Sequence, residues 1–561
     1  MLNAPTQEER AAGDSMRPPR NHMDEYSDHH YGEQGQDVTQ PAHPPTSTPH
    51  STPMNTTPNT TPVGGPDHVV ILGAGPAGLT AAYELRRFDV PVTVLEKDSR
   101  FVGGIARTVE HDGYRFDIGG HRFFSKSQEI EDLWTEIMGE QMITCGRLSR
   151  IYYKGKYFDY PLKATNALLN MGPIETIRCM TSYGWARVHP VKEPRTFEDW
   201  VSNQFGHRLF SIFFKTYTEK VWGMSTSELS ADWAAQRIKG LNMVEAVKNA
   251  LLPQRSGRDN GEVIVTLIDR FRYPRLGPGQ MWERVSAMLA QQGYPVALGQ
   301  EVIAIHHADG RVTEVETRDA DGNTHVVTGS SFISTLPIRE LVEQCEPPLP
   351  EPVRAAVRSL KYRDFLTVAL IVNREQVFPD NWIYIHDPAV QVGRIQNFKN
   401  WSPAMVADPH KTCLGLEYFC FEGDGLWTSS DDDLIELARR ELASLGMCTP
   451  EEVEWGTVVR QPKAYPVYDD SYRQHVAVVR DALAELLPNL YLVGRNGMHH
   501  YNNQDHSMMT ALLVARNIAL GTAYDPWKVN TDAEYHEEAR RDEPDTSGRL
   551  VPTTPNVPSA A

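Results

Sequence analysis

The chain has 561 residues, 55 of them basic and 73 acidic, for a net charge of -18. That length can bury a large core without a disulfide or metal staple. The acidic balance argues against nucleic acid and against bulk attraction to anionic lipid, while leaving local basic clusters able to hold a small anion.

Cys145, Cys179, Cys345, Cys413, Cys420 and Cys448 are scattered with no CxxC pair. This spacing implies free buried thiols in a reducing compartment, and neither zinc nor a disulfide framework. The N-terminus lacks the apolar region of a signal peptide, and no run of about 18 apolar residues could span a bilayer. A cytoplasmic protein without an integral membrane segment is therefore expected.

Taken in order, residues 1–66 are Pro-, Ser- and Thr-rich, as in PAHPPTSTPHSTPMNTTPNTTP, and hold too few large apolar residues to offset the entropy of ordering. A disordered tail is expected there. Folded sequence starts at DHVVILGAGPAGLTAAYELRRFDVPVTVLEKD, where strand Val69–Leu72, a glycine turn, a helix and a strand ending at Glu96 make a βαβ unit. From about 127 to 255 the pattern is mostly helical, with MVEAVKNALL near its end. Strand-like runs follow from about 262, including VALGQEVIAIHH, VTEVETRD, SSFISTLP, DFLTVALIV and CLGLEYFCFE, and LYLVGRNG leads into the apolar helix SMMTALLVARNIALG. The last 36 residues, 526–561, read as a loose polar tail.

Gly73, Gly75 and Gly78 form GxGxxG directly after a strand and at the start of a helix, with Glu96 ending the next strand. The first glycine permits the turn, the second admits a pyrophosphate and the third lets helix and strand pack closely. The helix N-terminus faces the anion, and Glu96 accepts from a ribose hydroxyl. A second glycine loop follows in RFVGGIARTVEHDGYRFDIGGHRFF, with Gly103, Gly104 and Arg107.

That pair of loops resembles the FAD superfamily of amine oxidases, protoporphyrinogen oxidases, phytoene desaturases and UDP-galactopyranose mutases. The resemblance extends to GYPVALGQEVIAI, which contains Val302, to GSSFISTLP, and to LYLVGRNG with Gly494 and Arg495. It implies an α/β fold: a GxGxxG FAD-binding Rossmann-like domain, an inserted helical domain, and a mixed or antiparallel β-sheet substrate domain. FAD binding would then use residues 67–135, 271–335 and 485–525, with a mainly helical cap over 136–270 and a sheet-rich substrate domain over 336–484.

FFKTYTEKVWGMSTSEL, residues 213–229, is similar to the mutase segment FFKGYTxKQWG, and YYKGKYFDYPLKATNALL to a mutase hairpin ending in a Pro-Leu pair. GRIQNFKNW, AYPVYDDSY and GRNGMHHYNNQD follow in mutase order. Carried over, Tyr217, Trp222 and Tyr160 would line the substrate pocket, Arg394 would engage a diphosphate, and Tyr465 and Tyr501 would donate to it. Arg495 would sit by the flavin and phosphates. Arg237 is the candidate helix arginine, one position later than the mutase spacing, with Gln236 in the expected slot. His121 matches the first histidine of the mutase GPHxFHT, whereas Phe124 replaces the second.

The resemblance implies a nucleotide-sugar mutase that interconverts pyranose and furanose forms of an NDP-hexose through reduced-flavin N5. NADPH or NADH would be the reductant, and homo-oligomerisation is compatible with the chain. The alternative is an FAD-dependent oxidoreductase like protoporphyrinogen oxidase or an amine oxidase. A non-enzymatic scaffold working through its tails ranks below both. The pair His499-His500 is read as lying on a strand with its side chains on opposite faces, so no metal site is expected.

Overall fold

Strand β1 (Val69–Leu72) is apolar at every position and fully buried. A strand covered on both faces by other elements has no need of a polar side, so its hydrophobicity does not alternate. The computed structural model describes residues 68–530 apart from 161, 163 and 232–269. The expected N-terminal tail, the MVEAVKNALL helix, Arg237 and residues 531–561 lie outside the described residues.

β1 pairs in parallel with β2 (Val92–Leu95) on one side and with Ser331–Ser334 on the other, and Leu490–Leu492 pairs in parallel beyond that. Three distant stretches of chain therefore build one parallel sheet. Val69, Ile71 and Val94 pack on one face against helix α1 (Pro76–Arg87) and the apolar helix Gln504–Leu520. Val70, Leu72 and Leu95 pack on the other against Ile305, Leu341 and Leu483.

A second sheet has seven strands in the order Val453–Pro466, Tyr362–Val372, Thr412–Cys420, Arg394–Asn397, Trp382–Ile385, Ser149–Tyr153 and Lys156–Asp159. It is antiparallel except where Trp382–Ile385 meets Ser149–Tyr153. A four-stranded sheet of Thr324–Thr328, Arg311–Arg318, Glu301–Ala308 and Cys345–Glu346 shares the core on that second face of the parallel sheet through Ile305, Val312 and Val315. The α/β class and the mixed sheet agree with the sequence reading.

Within the mainly helical stretch 136–270 the chain also forms strand Met142–Gly146, which pairs with Arg270–Pro274, and the expected hairpin of Ser149–Tyr153 and Lys156–Asp159, closed by a Lys154-Gly155 turn with φ values of 49° and 76°. Two expectations need correction. His499 and His500 follow the short helix Gly494–Gly497 in a loop, with His499 at φ 46°, so the strand argument about their faces does not apply. Residues 526–530 are docked: Val529 is buried, and Asn530 Nδ2 donates to the carbonyl of Tyr501 and to Asn502 Oδ1.

The helical part of the cap runs through Pro173–Val188, Phe197–Phe205 and His207–Phe210 into a π-helical turn, Ser211–Lys215, and the helix Thr216–Trp222. The widened turn overlaps the start of FFKTYTEKVWG, where an extra residue in the helix changes the direction of the side chains that follow it. It sits directly before Tyr217.

Candidate active site

At the N-terminus of α1, Gly73 has φ 99° and would place a Cβ 2.2 Å from Thr335 Oγ1, and a Cβ at Gly78 would fall 1.9 Å from the carbonyl oxygen of Gly73. Both glycines are required by packing. Gly75 differs, since a Cβ there would meet nothing within 4 Å, and no side chain caps the helix it begins. The uncapped N–H groups of α1 thus face open space at the one glycine that packing does not need, which suits a pyrophosphate.

Glu96 Oε2 accepts from the Ala74 N–H at 2.7 Å and Oε1 from the Asp98 N–H at 3.0 Å. Burial pushes its pKa up against the opposing pull of those two N–H groups. The second glycine loop meets the first: Gly103 N–H donates to the Ala74 carbonyl, and a Cβ on Gly104 would lie 3.4 Å from Gly75 Cα. Arg107 is turned toward Asp98, with its NH1 2.8 Å from Oδ2. Val302 packs in the core on the far side of the parallel sheet, and its carbonyl accepts from Gln344. Gly494, at φ 81°, donates its N–H to Thr510 Oγ1 and would bring a Cβ within 3.0 Å of Ala77 Cβ, so the GRNG turn abuts α1.

A second group of predicted residues gathers around paired tyrosines. The rings of Tyr465 and Tyr501 stack with centroids 5.5 Å apart, and the Arg495 guanidinium lies 5.4 and 5.2 Å from the two ring centres. Arg495 donates Nε to the Asn502 carbonyl and NH1 to the Ala464 carbonyl. It makes no ion pair among the described residues, so its full charge remains in a half-buried setting. Arg394 differs: Nε and NH2 contact Oε2 of the fully buried Glu417 at 2.7 and 2.5 Å, and Gln396 Nε2 donates to Oε1. Burial, the largest single influence, lowers the Arg394 pKa, but the Glu417 carboxylate together with Tyr217, Tyr465 and Tyr384 outweighs it and holds the pKa well above its ordinary value.

His121 lies within the electrostatic reach of both arginines. Burial first, then Arg495 and Arg394, push its pKa down to about 3, so the ring is neutral at neutral pH. Nδ1 is 3.0 Å from the Gly119 carbonyl. A carbonyl only accepts, so Nδ1 carries the proton and Nε2 is left as an acceptor.

Trp222 is only 2% exposed, in a core with Phe197, Phe210 and Phe213, and its ring centroid is 6.4 Å from that of Tyr501. Tyr217 is more open, stacked on His386 at 4.9 Å and edge-on to Tyr384 at 5.4 Å, and Tyr160 meets Tyr384 from another side at 4.9 Å. The structure thus brings together Arg394, Tyr465, Tyr501, Arg495 and His121, with Tyr217 and Tyr160 joined through Tyr384.

Sequence reasoning missed Glu417, Tyr384, His386 and two cations, the half-buried Lys220 and the buried Arg363. Lys220 Nζ donates to the carbonyls of Ile385, Asp387 and Val392, and Arg363 donates to those of Lys220, Val221 and Phe419. Together they fasten the helix bearing Tyr217 to the seven-stranded sheet. The signal for Glu417 was present in the sequence: it is the lone charge in the nine-residue strand TCLGLEYFC, which is buried at every position. Among the described residues no cluster of three or more His, Cys, Asp or Glu could hold a metal.

Residues 76–519 match the model of the flavin containing amine oxidoreductase family, and the chain belongs to that family. Membership carries FAD as the cofactor, consistent with the open, uncapped N-terminus of α1 at Gly75. A crystal structure of reduced UDP-galactopyranose mutase superposes with a TM-score of 0.71 at 23% identity, covering 83% of this chain and 96% of that one. The coproporphyrinogen III oxidase of Bacillus subtilis is 22% identical over 77% of this chain and 93% of its own length. The probable UDP-galactopyranose mutase of Klebsiella pneumoniae is 27% identical over 29% of this chain, which spans less than half (43%) of that protein.

Proposed function

We propose that the protein is a nucleotide-sugar mutase that interconverts the pyranose and furanose forms of an NDP-hexose. The observation that carries this reading is the unpaired charge of Arg495 held over the stacked faces of Tyr465 and Tyr501. Arg394 is neutralised by Glu417, so the group keeps one net positive charge, surrounded by hydroxyl donors. Burying such polar groups around an apolar or aminic substrate is costly, whereas a diphosphate satisfies them.

The flavin, when bound, supplies in its reduced form the nucleophile that acts at the anomeric carbon. The chain's own residues would bind and orient. Arg495 and the Tyr465 and Tyr501 hydroxyls would hold the departing and returning diphosphate, Arg394 would extend this contact with a planar guanidinium locked by Glu417, and the neutral His121 ring would accept a hydrogen bond at Nε2 from a sugar hydroxyl. Tyr217, Tyr160 and Trp222 would form the wall on the nucleotide side. Arg237 is proposed as a further diphosphate contact on the basis of the sequence resemblance alone.

A second reading, oxidation of a substrate with electrons passing to the flavin, is favoured by the near full-length match to the coproporphyrinogen oxidase. One experiment separates the two. Purified enzyme, reduced with dithionite or NADPH, is incubated with UDP-galactose and a panel of other NDP-hexoses, and the products are resolved chromatographically. An isomer formed only by reduced enzyme supports the mutase. Turnover by oxidised enzyme with peroxide release from a porphyrinogen or an amine, and no isomer, rejects it.

A further inference from the structure

The helix Pro173–Val188 has one face packed and one face bare. Cys179 is buried, and a Cβ on Gly206 would lie 2.6 Å from the backbone nitrogen of Tyr183, so the inner face sits directly on the turn before His207–Phe210. On the outer face Ile174, Ile177, Trp185 and Val188 are 70, 63, 68 and 73% exposed. Successive residues on a helix turn by about 100°, which puts these four side chains in one sector together with Thr181 and Gly184. Arg178 and Arg187 fall at its two edges, and both are exposed. Leu169, 82% exposed, and Val191, 44% exposed, extend the apolar surface beyond each end of the helix.

A large apolar stripe facing water marks a contact surface. Its surroundings indicate what it contacts. In a chain of net charge -18, residues 164–195 carry four cations, Arg178, Arg187, Lys192 and Arg195, against two carboxylates, Glu175 and Glu193. Glu175 is engaged by Arg208 and by Arg178, so the Arg178 charge is itself partly offset and the positive character of the stripe rests more on Arg187 and Lys192. An apolar sector with an exposed tryptophan, edged by arginines, has the composition of a helix lying in the plane of a bilayer interface. The positive rim complements an anionic headgroup layer. A second copy of this chain would instead set two positive rims against each other.

We propose that this face of Pro173–Val188 docks the protein peripherally on an anionic membrane surface, without crossing it. Among the described residues no helix is long and apolar enough to span a bilayer. The proposal does not depend on the reaction catalysed.

The test is sedimentation of the full-length protein with vesicles of phosphatidylcholine containing phosphatidylglycerol, and with phosphatidylcholine alone. Binding is expected to the first and weakly or not at all to the second, and to fall as salt is raised. Ile177→Glu and Trp185→Ser should each lower the partition coefficient about tenfold, and Arg187→Gln about fivefold, with unchanged melting temperatures. Failure of the wild-type protein to bind anionic vesicles, or full binding by both apolar-face variants, overturns the proposal. A dimer seen by light scattering that Ile177→Glu separates, without vesicle binding, overturns it in favour of self-association.

Discussion

Tyr465 and Tyr501 lie nearly parallel, 13° between ring planes, although they reach the site from different elements: the long strand Val453–Pro466 and the loop before helix Gln504–Leu520. The Tyr501 N–H is itself fixed by the Tyr468 hydroxyl at 2.7 Å. Replacing either ring by phenylalanine keeps the stack under Arg495 and removes one hydroxyl. Because a hydrogen bond to a charged acceptor contributes about 1.5–3 kcal/mol, Tyr465→Phe and Tyr501→Phe should each weaken NDP binding about 10- to 100-fold while leaving thermal melting near wild type. Titration of the folded proteins with NDP checks this, and unchanged affinity in both would remove the hydroxyls from the anion site.

Glu417→Gln retains the shape of the side chain but leaves the Arg394 cation without its carboxylate in the interior. Breaking a buried pair in this way costs about 3–5 kcal/mol. Denaturant unfolding should register a loss of that order. A variant as stable as wild type would mean that Arg394 finds other compensation.

At the dinucleotide turn the two kinds of glycine should separate by phenotype. Gly75→Asp places a carboxylate in the open space at the helix N-terminus and should abolish FAD retention in a folded protein, read from the flavin absorbance of the purified sample. Gly78→Ala drives a Cβ into the Gly73 carbonyl and should reduce the yield of folded protein itself. Full FAD occupancy in Gly75→Asp would contradict the assignment of the turn.

Trp222 is buried deeply enough that Trp222→Ala should cost about 3–5 kcal/mol of fold stability. If its ring also supports the nucleotide wall through Tyr501, NDP affinity should drop several-fold in the folded fraction, as expected for the loss of an aromatic contact of about 1 kcal/mol. Melting and affinity measured on one preparation distinguish the roles. A large melting shift with wild-type affinity would leave Trp222 as core alone.

Five histidines, His121, His386, His499, His500 and His506, have their pKa values pushed down to between about 3 and about 4, in each case chiefly by burial. The unfolded chain protonates them near pH 6.5, so below that pH it binds more protons than the folded chain. Their stabilising contribution is therefore complete above about pH 6.5 and is lost as pH falls toward 4, at up to about 1.4 kcal/mol per pH unit for each histidine. Melting temperature should decline steeply across that window. A flat profile between pH 6.5 and pH 4.5 would show that these rings are not held neutral.

Much of the geometry of the proposed dinucleotide site was legible along the chain because it is local. Gly73, Gly75, Gly78 and Glu96 sit within one βαβ unit, where the turn needs a positive φ at Gly73 and a strand end presents Glu96 to the Ala74 N–H. The apolar strands were legible for the same reason, since uninterrupted burial leaves an uninterrupted hydrophobic run. The sequence could also rank Arg394, Tyr465, Tyr501 and Arg495 as a set through their order along the chain, though not their mutual geometry.

Only the tertiary structure decided charge balance and contact. Glu417 neutralises Arg394 across 23 residues, while Arg495 finds carbonyls and remains charged. Lys220 and Arg363 fasten the Tyr217 helix by reaching backbone oxygens more than 140 residues away. Such partners are chosen by packing between strands and helices remote in sequence, and backbone carbonyls carry no residue signature. The bare face of Pro173–Val188 has the same origin: its periodicity was written in the sequence, but which side the protein covers depended on where the Gly206 turn came to rest.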